Sequence, residues 1–299
     1  MNLIKKTPQI FVFLALGLIL APAFGSIPHS KTIATRVARN NGKGVYAIEQ
    51  DVQLRTGADT VTLRERWIIE NGDTMRLWVS SKDAAQVARF DAVYRDGKRT
   101  ASDLSGGIKS SSIPAEFAER YSHQRTSDSV LRSYVRANIL PQTFLRERPR
   151  FVLPKDSGGS KESGITKADL AGEPLVRLGR SGGVVDYVFG EPTPVDASKD
   201  LPGVWIEQDA FVLRRLRFPS NTEFTYDQYG LQAGSIRLPQ QRTIKWDDHT
   251  AIIRLISVKS VDPKTASAAL NPTSITAPEA KAAKLPDQTQ VKEFYTRFR

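Results

Sequence analysis

Residues 204–218 read VWIEQDAFVLRRLRF, 222–229 TEFTYDQY, 235–246 SIRLPQQRTIKW and 250–261 TAIIRLISVKSV. Each is a strand-length apolar run cut off by Asp, Asn, Pro or Gly. The first run continues through Gln208-Asp209-Ala210, and Asp247-Asp248 joins the last run to its predecessor. Links this short join antiparallel neighbours, because parallel strands need crossovers of a dozen or more residues. The stretch from Gly203 to Val261 therefore reads as a meander of about five strands with no helix-period segment. Ala251 to Val258 carries apolar residues on both faces. A sheet apolar on both sides needs cover on both sides, from helices, a partner or a ligand.

The same alternation recurs upstream. Tyr46, Ile48, Val52 and Leu54 fall on one face, and Val61, Leu63, Trp67 and Ile69 on the next. A regular period of two marks strands with one buried face. Asn71-Gly72-Asp73 is a hairpin turn. Met75, Leu77 and Val79 follow, then Phe90, Ala92 and Tyr94, then a turn at Asp96-Gly97. Glu65 lies on the apolar face of its strand. It contacts or gates a ligand, pairs with a nearby arginine, or sits where the sheet opens to water, because unpaired burial costs too much. Weaker strands run from Leu175 to Leu178 and from Val184 to Phe189.

A family resemblance rests on these residues. Trp205-Ile206-Glu207-Gln208-Asp209, Phe211 to Arg215, Phe224, Ile236 to Leu238 with Pro239, and a final apolar strand resemble the second half of a LolA-like domain. That family comprises periplasmic lipoprotein carriers and their outer-membrane lipoprotein-sorting relatives. Its pattern is a W-I-D/E-x-x-x-x-x-L-R strand pair, a strand ending in proline, and two more strands. A fainter echo covers Val45 to Lys98, with Arg64-Glu65-Arg66-Trp67 ahead of Asn71-Gly72-Asp73. The resemblance implies a mainly β fold with some helix, an incomplete antiparallel barrel whose helices cover an apolar concave face. It also implies a lipid or acyl chain as ligand.

Between the two strand sets the period changes. Phe117 and Tyr121 are four apart, and Ser127 and Asp128 supply a cap for a helix. Val130, Leu131, Tyr134, Val135 and Asn138 share one face of that helix, Arg132 and Arg136 the other, and Pro141 ends it. This helical insertion, about 114–147, stands where the resemblance places its covering helices. Leu131, Tyr134 and Val135 are thus candidates for a lid, and Arg132 and Arg136 for contact with anionic membrane headgroups. The aromatic strand residues Trp67, Trp78, Trp205, Phe218, Phe224 and Trp246 are candidates for the cavity wall; the other reading makes them ordinary core.

The ends and loops complete the organisation. Residues 1–25 read as a cleaved secretory signal, with Lys5 and Lys6, an apolar run from Ile10 to Leu20, and small residues at Ala21, Ala23 and Gly25. The run is shorter than the roughly 20 residues a membrane span needs. The protein would then act in the periplasm as one domain over 26–261, opening on a short helix within 26–42. Residues 101–112 and 154–165 read as flexible loops. Residues 262–286 are Ala/Pro/Lys-rich and read as extended. Val291, Phe294, Tyr295 and Phe298 mark a short C-terminal helix that either docks back on the sheet or serves as a partner-binding tail.

Composition narrows the chemistry. The chain of 299 residues has a formal net charge of +11 and no cysteine. Disulfides, thiolate metal sites, cysteine nucleophiles and a lipidated N-terminal cysteine are excluded. The positive excess suits anionic headgroups or simply solubility; secretion argues against nucleic acid. No phosphate loop, dinucleotide fingerprint or metal-spaced cluster is visible, so no cofactor or metal is expected. Gly179-Arg180-Ser181-Gly182-Gly183 matches the G-x-S-x-G elbow, but a strand follows where that motif needs a helix. The sequence thus points to a monomeric, non-catalytic carrier of lipid, acyl chains or lipoprotein. The alternative is an adaptor that binds another envelope protein through the same fold.

Overall fold

The computed structural model describes residues 27–81, 90–102, 107–145, 176–191, 193–194, 196, 198–275 and 288–299. The expected secretory signal and the 154–165 loop lie outside the described residues.

Thirteen strands form one antiparallel sheet in the order β6-β5-β4-β3-β2-β1-β13-β12-β11-β10-β9-β8-β7. The first arm comprises β1 (Val45–Thr56), β2 (Asp59–Asn71), β3 (Thr74–Ser81), β4 (Phe90–Arg95), β5 (Lys98–Ser102) and β6 (Ile108–Ser112). The second comprises β7 (Val176–Ser181), β8 (Val184–Phe189), β9 (Gly203–Glu207), β10 (Leu213–Arg217), β11 (Glu223–Gln232), β12 (Ile236–Trp246) and β13 (His249–Val261). Each arm is a meander of sequential neighbours, and β1 joins β13 along a seam from Val45↔Val261 to Arg55↔Thr250. The sheet curves without closing, so β6 and β7 remain its edges.

The helices are α1 (Ser30–Asn40), α2 (Ser127–Arg136), α3 (Pro263–Ala269) and α4 (Thr289–Arg297). Residues of α1, α2 and α4 share one apolar core with the inward residues of the strands, including Ile48, Leu63, Trp67, Leu77, Phe224 and Trp246. The concave face is therefore covered, as the alternation requires. A second, smaller core of Val45, Ala266 and Leu270, with Ile68 and Val261 against it, lies on the outer face under α3. It covers Val261 at the end of β13, whereas Ile256 of the two-sided apolar stretch stays exposed.

Several expectations change. The alternation along the chain suggests about ten or eleven strands, and thirteen form among the described residues. The Ser/Gly-rich stretch at 101–112 supplies the end of β5 and all of β6, which pair from Lys98↔Ser112 to Ser102↔Ile108. All five side chains of β6 are exposed, so the edge strand carries no apolar alternation to read. Pro239 stands inside β12, not at its end. It pairs with Tyr229 of β11, whereas β13 joins β12 only from Gln241 onward. The proline thus falls where one flank of β12 needs no N–H donor. The cap of α2 is Thr126, which accepts from the Ser129 N–H in a capping box. The helix stops at Arg136, and Asn138 turns into the left-handed region at φ 56° instead of extending the buried face. Asp262 caps α3 and Pro263 opens it, where the composition suggested an extended chain.

Two glycines link α1 to β1 with positive φ, Gly42 at 71° and Gly44 at 88°. A Cβ on Gly42 would lie 2.8 Å from the Ile236 Cβ and 2.8 Å from the Tyr46 hydroxyl, whereas one on Gly44 would meet nothing. Gly44→Ala should cost only the backbone strain, about 1–2 kcal/mol. Gly42→Ala adds overpacking and should cost about 2–5 kcal/mol in all. Denaturant midpoints of the two variants test this, and equal shifts would contradict it.

Candidate functional site

The concave face brings together most of the aromatic candidates. Trp67, Phe218, Phe224 and Trp246 are fully buried there. Phe218 and Phe224 pack 4.8 Å apart, and Trp246 meets Phe298 at 5.0 Å. Trp67 lies 5.9 Å from Tyr94, which stacks on Phe117 at 4.4 Å. Leu131, Tyr134 and Val135 are buried on the inner side of α2, with Tyr134 stacked on Tyr121 at 5.9 Å. Arg132 and Arg136 are exposed on its outer side, and Arg136 stands 3.8 Å from Asp73.

Two candidates point the other way. Trp205 alternates with Val204 and Ile206 and lies on the outer face, under the Arg215 guanidinium at 4.5 Å. Trp78 is also on the outer face, with Arg76 at 4.5 Å over its ring. It borders an open depression of about 520 Å³ floored by Ala47 and Ile68 and flanked by Glu49, Arg66, Ser257 and Lys259.

The polar heart of the concave face involves residues that the sequence reading did not single out, apart from Glu65. Arg299 is wholly buried and grips Glu65: Nε donates to Oε1 at 2.8 Å and an Nη to Oε2 at 3.1 Å. Gln50 and Trp67 also donate to Glu65 Oε2, at 2.6 and 3.0 Å. Glu65 thus pairs with an arginine, one of the readings its position allowed. A second carboxylate, Glu119, accepts from Arg242 at 2.7 Å and from Gln50 at 3.1 Å, and lies 3.6 Å from Arg299. His123 Nε2 is 3.4 Å from Glu119.

Burial alone would push the Glu119 carboxyl up. Arg242, the His123 hydrogen bond and Arg299 outweigh it and hold the group well below the usual carboxylate range. Burial would likewise lower the Arg299 guanidinium, but Glu65 and Glu119 raise it above its ordinary value. His123 goes the other way, because burial pushes its imidazole down more than Glu119 pulls it up.

The signal for this cluster lay in breaks of the apolar alternation. Gln50, Glu65 and Arg242 each occupy an inward strand position among hydrophobic neighbours. Gln50 and Glu65 are direct cross-strand partners.

Ser181 sits on β7 just before a two-residue turn into β8 and donates to Asp186. The G-x-S-x-G match is therefore a hairpin, without the strand-to-helix turn of a nucleophile elbow.

No family model matches this sequence, and no curated protein matches it. Solved structures do. A DUF1329 family protein from Desulfovibrio piger is 10% identical, with a TM-score of 0.52, 83% of this chain covered and 98% of that one. The chain shares that protein's fold. A LolA superfamily protein from Nitrosomonas europaea matches with 9% identity, a TM-score of 0.49, and coverage of 80% of this chain and 97% of that one. A putative outer membrane lipoprotein-sorting protein domain from Vibrio parahaemolyticus matches with 11% identity, a TM-score of 0.45, and coverage of 80% and 97%. At these identities the likeness is one of fold.

The depressed His123 value fixes a pH response. The unfolded chain takes up the histidine proton first, near pH 6.5, so stability falls as the pH drops below about 6.5. The Glu119 contribution persists until the pH approaches the unfolded carboxylate value of about 4.3, and is lost below it. Between about pH 6.5 and 5 the decline therefore belongs to histidine. His123→Gln should flatten the melting temperature over that window, whatever it does to the absolute value. A slope equal to wild type would exclude His123 as its source.

Proposed function

We propose that this protein is a non-catalytic periplasmic carrier for an apolar chain, whether a lipid, a free acyl chain or the acyl group of a lipoprotein. The observation that carries the reading is how the concave face is covered. A continuous aromatic surface lies beneath α2 and α4, and neither helix is tied into the hydrogen-bonding ladder of the sheet. Moving a helix off such a surface opens an apolar hollow while leaving every strand pair intact. The LolA-like resemblance of the second arm and the secretory character of residues 1–25 support the same reading.

In this reading α2 is a lid. It carries Val130, Leu131, Tyr134 and Val135 inward and is bounded by its Thr126 cap and the left-handed Asn138. A lid must open at a cost below that of global unfolding, so its loss need not spread to the sheet. Arg132 and Arg136 would present positive charge to an anionic membrane during loading or delivery.

Mass spectrometry of lipids extracted from gently purified protein should find bound acyl species. Protein that is empty whatever the preparation would count against a carrier. Leu131→Gln should raise the rate of uptake of a fluorescent fatty acyl probe while the sheet still melts as one cooperative unit. Whole-protein unfolding by that substitution would make α2 permanent core. Reversing Arg132 and Arg136 to Glu should weaken binding to anionic liposomes at low salt, and the difference should fade as salt is raised. Unchanged low-salt binding would remove the membrane role from this face.

A further inference from the structure

The segment that fills the concave face most deeply is α4 with the two residues after it. Val291, Phe294, Tyr295, Phe298 and Arg299 are all buried. Phe298 packs on Phe224 and Trp246, Tyr295 on Phe90, and the Arg299 guanidinium lies 4.7 Å over the Phe294 ring. The chain reaches this place from the opposite side of the sheet, because α3 and Ser274 are held on the outer face. There Arg76 donates to the Ala269 carbonyl at 2.9 Å.

Glu65 has a guanidinium on it only with α4 in place. Two carboxylates, Glu65 and Glu119, face two guanidiniums, Arg242 and Arg299, with Gln50 between them and His123 beside Glu119. Arg242 is committed to Glu119 and Gln50. Without Arg299, Glu65 keeps only the neutral Gln50 and Trp67 donors, and its charge loses the guanidinium that meets it at the bottom of the hollow. Arg99 is the other cation that α4 covers. It is spent on the main-chain oxygens of Tyr295 and Arg299, at 3.0 and 2.6 Å, and not on either carboxylate. A buried charge without a partner is strongly disfavoured, so whatever replaces α4 must bring a cation to Glu65.

We infer that the hollow beneath α4 is a binding site for an apolar ligand with a single cationic head, an ammonium or guanidinium on an aliphatic or aromatic chain, and that α4 holds the place of this ligand until displaced. This rests on the carrier reading and narrows its cargo. A fatty acid would set a second carboxylate beside Glu65, whereas a cationic amphiphile reproduces the Arg299 contacts. Once α4 leaves, Arg99 at the same site offers two N–H donors for carbonyl groups of the incoming molecule.

The test uses the full chain with dodecylguanidinium, dodecanol and dodecanoate as probes, each below its micelle concentration. Calorimetry reads binding, and hydrogen exchange of the 289–298 amides reads release of α4. Dodecylguanidinium should bind wild-type protein and expose those amides. It should bind Arg299→Gln at least about tenfold more tightly, because its competitor for Glu65 is gone. The preference for the cation over dodecanol should vanish in the Glu65→Gln/Arg299→Gln double variant. Phe298→Ala keeps every charge while loosening α4, and gives the same ranking of probes if Arg299→Gln does not fold. Dodecanoate binding as tightly as dodecylguanidinium to the loosened variants, or guanidinium binding with α4 still protected, would overturn the inference and leave a carrier of other lipids standing. If none of the probes binds although the α4 amides exchange freely, the carrier reading falls too.

Discussion

The buried pairing of Arg299 with Glu65 is the interaction on which the concave face depends. A carboxylate inside an apolar sheet is tolerable only when its lone pairs are met, and here both oxygens accept from Arg299 while Oε2 also accepts from Gln50 and Trp67. Removing one member of such a pair typically costs about 3–5 kcal/mol, because the other charge stays behind. Replacing both with matched apolar groups often costs nothing. The pair therefore does less to stabilise the fold than to fix where the last residues of the chain go. Greasy residues such as Phe294 and Phe298 could settle on many parts of an aromatic surface. A guanidinium with two carboxylates to meet has one place.

This gives the structure two kinds of cover. α1 and α2 seat themselves by shape, with helix stripes of Ile33, Val37, Leu131 and Tyr134 against the strands. α4 seats itself by shape and by charge. On the outer face the same division appears on a smaller scale. Ala266 and Leu270 of α3 pack on Val45, while Arg76, bridged to Asp91 at 2.6 Å, holds the following turn through Ala269 and Ser274. Residues 262–275 and 288–299 thus belong to opposite faces of one sheet.

Most of the sheet was legible because it repeats one rule. Wherever inward residues alternate with polar ones, as from Tyr46 to Leu54 or from Ile236 to Trp246, the strand and its facing could be read. The reading failed where that rule carries no signal. β6 is Ile-Lys-Ser-Ser-Ser at an open edge, all exposed, and only its backbone pairs. Pro239 looked like a terminator because the sequence does not show which flank of β12 lacks a neighbour. For the candidate site, Glu65 stood out as a break in an apolar face. Gln50 and Arg242 were equivalent breaks, but their significance needs the pairing of strands β1, β2, β13 and β12, which is a property of the sheet. Arg299 was out of reach, since only the apolar residues of the helix before it carried a signal and its partner lies 234 positions earlier. Trp78 and Trp205 misled for the opposite reason: a large aromatic on a strand suggests the inner face, yet a stacked arginine shelters each of them outside.

The seam between β1 and β13 has a consequence for how the chain assembles. Each arm is made of hairpins between sequence neighbours, so each can zip up locally. The seam instead joins Val45 to Val261, closing a loop that spans most of the chain. Loop closure on this scale is paid before the new contacts repay it, which makes long-range pairing the slow part of β folding. In a chain made from its N-terminus, β1 must wait with one edge unpaired until β13, the last of the described strands, is available. The outer helix α3 follows β13 directly and packs on Val45 at the start of β1. It is thus placed to lock the seam as soon as it forms, and the interval before that is when the unpaired edge of β1 is open to other strands.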